Sequence, residues 1–183
     1  MTTNDVILYS GGAAGAESAF GANAEKLGID EVNFSFEGHE VTRLRGTRIL
    51  NHEELKNGDV SLAYVSKLMN RQYHDTSIFR KIIQTIWYQI NSSTQIFVVG
   101  EILPDNTVKG GTGWGAEFAK LCNKELFVFD QEKNGWFKWN QAEWTSVTDP
   151  VISEIHFCGT GTRMIKENSI KAIDALFARS FQK

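Results

Sequence analysis

Ile96-Phe97-Val98-Val99, closed by Gly100, and Leu126-Phe127-Val128-Phe129 are two continuous apolar runs, and between them lies Gly110-Gly111-Thr112-Gly113-Trp114-Gly115. A run without apolar/polar alternation is expected where a strand is covered on both faces, as in a parallel sheet between helix layers. Ala116 to Cys122 reads as helical, so strand, helix and strand follow one another. Outward from this centre the alternation recurs. Val6-Ile7-Leu8-Tyr9 is a short β-rich run that stops at Ser10-Gly11-Gly12, and helix formers then extend from Ala13 to Leu27 until Gly28 ends them. Glu31 to Phe36 alternates with period two and puts Val32, Phe34 and Phe36 on one face. Gly38 to Asn57 is polar and reads as a loop leading into a short helix, and Asp59 to Met69 reads as a helix. Ile78, Phe79, Ile82, Ile83, Ile86, Trp87 and Ile90 recur at helical spacing, with Asp75 or Thr76 as the N-cap. The cluster Trp136, Phe137, Trp139 and Trp144 suggests an aromatic meander or small hairpin. Ile152 to Cys158 gives a last strand, and a final helix carries Ile170, Ile173, Leu176 and Phe177. Such alternation argues for an α/β sandwich with a mostly parallel sheet, and no composition shift divides residues 1–183 into more than one domain.

The chain has 183 residues, 42% of them hydrophobic, enough to bury a sizeable core. Lys plus Arg number 19 against 22 Asp plus Glu, a net charge of −3 that disfavours a nucleic-acid partner held by phosphate neutralisation. Cys122 and Cys158 form no paired motif and read as buried small hydrophobes in a reducing compartment. His39, His52, His74 and His156 lack metal-ligand spacing and read as satisfied or exposed, so neither a metal nor a cofactor is expected. No run approaches the roughly 18 apolar residues that cross a bilayer, so a cytoplasmic protein without a membrane partner is expected.

The chemistry concentrates in three glycine-rich segments: Ser10 to Gly15, Gly110 to Gly115, and Gly159 to Gly161. Each follows an apolar strand and is expected to turn into a helix. In a parallel sheet such turns lie at the carboxyl ends of the strands, where helix N-terminal amides attract a phosphate or carboxylate. Neither GxGxxG nor GxxxxGK[ST] is present, which disfavours a generic dinucleotide enzyme or phosphate-loop NTPase. Gly15-Ala16-Glu17 and Gly115-Ala116-Glu117 share a tripeptide that sets a carboxylate in the first turn of each helix. Glu17 reads equally as a favourable charge at a helix N-terminus and as a ligand contact. Glu117 reads as the functional one, beside the sugar of a bound nucleotide.

Gly110-Gly111-Thr112-Gly113-Trp114-Gly115-Ala116-Glu117 resembles the PGGxGTxxE motif of the Lonely-guy, or lysine decarboxylase-like, nucleoside monophosphate phosphoribohydrolases. Ser10-Gly11-Gly12-Ala13-Ala14-Gly15-Ala16-Glu17 is similar to the SGGAxGxD turn of the wider superfamily that includes the DNA-processing protein A family, and Gly159-Thr160-Gly161-Thr162-Arg163 resembles its G[ST]R turn. Lys109 stands where that family has proline, Trp114 where it has threonine, and Glu17 where aspartate is usual. The G[ST]R-like segment comes last here instead of first, as in a circular permutation. The resemblance implies a single Rossmann-like three-layer sandwich that binds a nucleotide or nucleotide-derived molecule, sensing or sequestering a signalling nucleotide. The alternative it implies is an N-glycosidic hydrolase in which Glu117 supports the transition state, with an arginine that is Arg80 or Arg71.

Ser10, Gly11, Gly12, Gly15, Glu17, Gly110, Gly111, Thr112, Gly113, Trp114, Gly159, Thr160 and Arg163 are therefore the candidate ligand-binding residues, and Glu117 and Arg80 the candidate catalytic pair. Trp114, inside a glycine turn, reads as a base-stacking residue or pocket wall. Arg163 reads as a fork onto a phosphate or as a surface cation, and Arg80 as catalytic or as an exposed helix charge. Trp136, Phe137, Trp139 and Trp144 read as packing or a dimer surface. The expected partners are a nucleotide-like small molecule and further copies of the chain, as a homodimer or higher homo-oligomer.

Overall fold

The computed structural model describes residues 2–73 and 77–181. After a 3-10 turn at Thr3–Asp5, the elements are β1 (Ile7–Ser10), α1 (Ala16–Lys26), β2 (Asp30–Phe36), β3 (Thr47–Leu50), α2 (His52–Lys56), α3 (Asp59–Leu68) and α4 (Ser77–Asn91). Then come β4 (Gln95–Gly100), α5 (Thr112–Leu121), β5 (Glu125–Asp130), β6 (Gly135–Trp139), β7 (Trp144–Val147), β8 (His156–Gly161) and α6 (Glu167–Phe181). The expected N-cap at Asp75 or Thr76, and His74, lie outside the described residues.

All eight strands form one sheet in the order β3-β2-β1-β8-β4-β5-β6-β7. The six from β3 to β5 are parallel, while β6 and β7 add an antiparallel hairpin at one edge. The sheet is therefore mostly parallel and flanked by helices on both faces. Phe97 and Val99 point to the layer of α1 and α6, where Phe20, Ala24, Ile173, Leu176 and Phe177 pack with Leu8, Phe127, Phe129 and Phe157. Ile96 and Val98 point to the layer of α3, α4 and α5, among Leu62, Ile83, Ile86, Ile90, Phe118, Leu126, Val128 and Cys158. This two-sided burial is why the β4 run carries no polar alternation. β8, last of the described strands, runs through the middle between β1 and β4. The carboxyl ends of these three neighbours, at Ser10, Gly161 and Gly100, share one edge of the sheet.

Several expectations change. Gly38 to Asn57 contains the edge strand β3 as well as the short helix α2. Its Arg48 and Ile49 are exposed, so β3 has only one buried position, Leu50, and no pattern to read. Gly159 to Gly161 is not a turn but part of β8, and α6 opens only at Glu167. A Cβ at Gly159 would collide with the Phe20 ring, so glycine there lets α1 pack closely on the strand. Cys122 is exposed instead of buried, and Ile170 faces outward from α6. Trp136 is buried, whereas Trp139 and Trp144 meet edge-on at 5.1 Å on the α5 side of the hairpin.

The β2 face carrying Phe34 and Phe36 packs on Ile82 and Tyr88 of α4. The opposite face buries Glu31, Asn33 and Ser35. The fully buried Glu31 carboxylate takes Arg43 at 2.7 Å and Arg45 at 2.6 Å, and Asn33 Nδ2 donates to the Arg45 carbonyl at 2.7 Å. These contacts fold the loop back onto β2, Arg43 also reaches Glu25 of α1 at 2.9 Å, and the Thr42 and Arg43 amides donate to the Gly12 carbonyl at 2.9 and 3.1 Å. No described helix is long and apolar enough to cross a membrane.

Candidate functional site

A cavity of about 580 Å³ opens at the edge where β1, β8 and β4 end. All three glycine-rich segments reach it: Gly11, Ala13 and Glu17 from the first, Gly110, Gly111 and Thr112 from the second, and Thr160 to Arg163 from the third. Helix α4 supplies a wall of Phe79, Ile82, Thr85, Ile86 and Gln89, and the loop after β2 supplies His39. Gly100, Glu101, Lys109, Gln131, Glu132, Met164 and Lys166 complete the lining.

The first and third segments are stitched together. Gly15 is the N-cap of α1 at φ +87°, where a Cβ would meet the Thr162 carbonyl oxygen at 2.5 Å. The Ala16 amide donates to that oxygen at 3.0 Å. Glycine is required here by both the left-handed φ and the close approach. Ser10 Oγ donates to the Gly159 carbonyl at 2.7 Å. Thus Ser10, Gly12, Gly15 and Gly159 build the floor from behind and do not line the cavity.

Glu17 closes that floor. Its Oε2 accepts from the Ala13 amide at 2.9 Å, its Oε1 accepts from Thr160 Oγ1 at 2.8 Å, and Gln89 donates to it as well. Burial pushes its pKa above the usual carboxylate value, with the three hydrogen bonds and the Arg163 charge pulling the other way. The carboxylate occupies the place at the start of α1 where an anionic ligand group was expected. The Ala13 amide is thereby spent inside the chain.

The start of α5 differs. Gly111 precedes the helix at φ −60° and a Cβ there would meet nothing within 4 Å, so this helix end faces open space. The segment before it is clamped by Arg71, whose Nη1 donates to the Gly110 carbonyl and whose Nη2 donates to Thr107 Oγ1 and the Val108 carbonyl, each at 3.0 Å. Gly113 lets the Val108 carbonyl cross the first turn of α5, because a Cβ would collide with that oxygen. Arg71 and Gly113 shape the turn without touching the cavity.

Three further candidates lie elsewhere. Trp114 is 2% exposed and packs against Tyr73 and Phe79 at ring distances of 5.4 and 6.4 Å, so it is a core residue and not a stacking platform. Helical side chains lean back toward the N-terminus, which carries this indole into the α4 layer. Glu117 does not line the cavity; it pairs with Lys120 at 3.1 Å, and the ammonium sits 4.0 Å from the Trp139 ring centre. The shared tripeptide therefore has different fates in α1 and α5. Arg80 is likewise outside the cavity: it reaches Asp59 at 2.7 Å and lies over the Tyr73 ring at 4.9 Å.

At the rim, Lys109 pairs with Glu101 at 2.7 Å and Lys166 with Glu132 at 2.6 Å. Arg163 is exposed and has no ion-pair partner among the described residues. Burial, and after it the Arg163 charge, lowers the His39 pKa. The His39 ring stacks on Phe36 at 4.5 Å, and its Nδ1 meets Ser35 Oγ at 3.0 Å.

Gln89, Thr85 and His39 were not among the candidates. Thr85 and Gln89 interrupt the apolar face of α4, and that break was the available signal. No group of three or more His, Cys, Asp or Glu that could hold a metal occurs among the described residues. No family model matches the chain, and neither curated proteins nor solved structures match it.

Proposed function

We propose that this cavity binds a phosphorylated nucleoside or a closely related nucleotide-derived molecule and retains it unchanged, so that the protein senses or sequesters the ligand. The observation that carries the reading is the convergence of Gly11, Gly111 and Thr160 to Arg163 on one cavity of about 580 Å³. That volume lies within the roughly 300–1,000 Å³ typical of small-molecule sites. The open start of α5 and the exposed Arg163 both suit an anionic group, through backbone amides, the helix dipole and a planar guanidinium.

The position of β8 between β1 and β4 supports a divergent, circularly permuted Rossmann-like relative of the phosphoribohydrolases. Moving β8 to the front would give a sheet that winds outward in both directions from its first strand. Retention is favoured over cleavage because Glu117 is engaged with Lys120 and Arg80 with Asp59, both away from the cavity. The test is a thermal-shift series with nucleoside monophosphates, followed by chromatography of the incubated ligand. A ligand at 100 times its Kd that binds only the folded state adds about 2.7 kcal/mol of stability. A raised Tm with no free base is expected; release of base would make the protein a hydrolase instead.

A further inference from the structure

Two polar atoms of cavity-lining side chains are buried without a partner, Gln89 Oε1 and His39 Nε2. Gln89 is 1% exposed. Its amide nitrogen already serves Glu17, which leaves its carbonyl oxygen as an acceptor with nothing to accept from. Buried acceptors are rarely left unpaired in native proteins, and one in a cavity wall points to a missing donor. Glu17 holds three donors, Ala13, Thr160 and Gln89, on a carboxylate that offers about four lone-pair sites. The spare capacity of the floor is therefore acceptor capacity on two adjacent side chains. Gly11 leaves room beside these two side chains, because a Cβ there would stand 2.6 Å from Gln89 Nε2 and 2.8 Å from Glu17 Oε2.

The cavity thus divides into three chemistries. An anionic group is disfavoured at the floor, where it would face the Glu17 carboxylate, and is favoured at the mouth near Arg163. The Phe79, Ile82 and Ile86 wall suits a flat apolar ring. What remains for the floor is an uncharged group with neighbouring donors.

Resting on the nucleotide-binding reading above, we infer that Gln89 and Glu17 are the specificity-determining residues of the site and accept hydrogen bonds from the vicinal diol of a ribose, while the phosphate stays at the Arg163 end. A site built around hydrogen-bond partners rejects an analogue lacking them more strongly than a hydrophobic pocket rejects a wrong shape, since its own polar groups are left unpaired.

The experiment measures affinities of the full chain by calorimetry for the four common nucleoside 5′-monophosphates, their 2′,3′-dideoxy counterparts and inorganic phosphate, with the wild type and with Gln89→Met, which keeps side-chain length. The wild type is expected to bind at least one ribonucleotide, and to bind its dideoxy counterpart at least tenfold more weakly. Gln89→Met is expected to bring the ribonucleotide down to the dideoxy level and to leave the dideoxy affinity unchanged. Equal wild-type affinity for ribo and dideoxy forms would overturn the diol assignment while leaving nucleotide binding in place, and so would a Gln89→Met loss shared equally by both. No binding of any monophosphate would overturn the nucleotide reading and this one with it. The comparison of ligands on the wild type decides the matter even if the variant does not fold.

Discussion

Thr160 Oγ1 donates to Glu17 Oε1 at 2.8 Å across 143 residues of chain, joining the end of β8 to the first turn of α1 beneath the cavity. A hydroxyl and a carboxylate that no sequence window could pair thus complete the floor. The polar groups there are costly to bury, which makes them the first place to perturb.

Glu17→Gln tests the cost of that carboxylate through pH. Burial raises the folded-state pKa above the unfolded value of 4.5, so the contribution of Glu17 to stability is fully present below 4.5 and is lost as pH rises through the folded pKa. The amide has no such loss. The difference in Tm, variant minus wild type, should therefore become more positive from pH 4 to pH 8. His39, whose pKa is lowered, acts in the opposite sense in both chains and cancels to first order. A difference that stays flat with pH would mean that the carboxylate is not penalised by burial.

Gly111→Val should leave folding intact and block ligand binding. Its φ of −60° suits any residue and its Cβ would enter open space at the start of α5. Gly15→Ala should do the reverse in kind, costing about 2 kcal/mol or more through the +87° φ and the Thr162 carbonyl. Chemical denaturation and ligand-induced Tm shifts, measured on both variants, separate the two effects. Equal ligand shifts in the Gly111→Val variant and the wild type would place the ligand elsewhere.

Trp114→Ala should cost about 3–5 kcal/mol, the range for deleting a large aromatic from a packed core. Trp114→Phe should cost less and leave ligand affinity unchanged. A selective loss of affinity in the phenylalanine variant, with normal stability, would return Trp114 to the binding site.

Arg43→Met should destabilise by on the order of 3 kcal/mol, since it leaves the buried Glu31 with one cation instead of two. Adding Glu31→Gln to that variant should recover part of the loss, because the uncompensated charge goes with it. A double variant no more stable than Arg43→Met alone would show that the guanidinium acts by packing and not by charge.

The sheet was legible wherever burial is one-dimensional along the chain. Ile96 to Val99 and Leu126 to Phe129 announce strands covered on both sides, and the tryptophans after Gln131 announce the edge hairpin. β3 escaped because an edge strand with Arg48 and Ile49 outward has no alternation to read. The polar face of β2 escaped because Glu31 finds its cations twelve and fourteen residues away, in a loop whose path no local pattern encodes. Within the candidate site, the meeting of the three segments followed from parallel topology, since β1, β4 and β8 must end on the same edge. The residue roles did not follow. Gly113 and Gly159 looked like ligand clearance and are clearance for a carbonyl and a phenylalanine ring. Glu17 and Glu117 share neighbours in sequence, but only the helix packed beside β8 turns its carboxylate into the cavity.

The described strand that comes latest in the sequence is the one the sheet is built around. Until residues 156–161 emerge, β1 and β4 have no partner on their facing edges, and the apolar β4 edge is the kind of template that recruits other chains. The β1–β2–β3 and β4–β5–β6–β7 halves can be synthesised, yet within the sheet they join only through β8. Assembly of the sheet is thus expected to be cooperative and to wait for β8, with the open β1 and β4 edges in need of chaperone protection until it arrives. The cavity, which needs the ends of β1, β8 and β4 together, exists only once that central strand has been inserted.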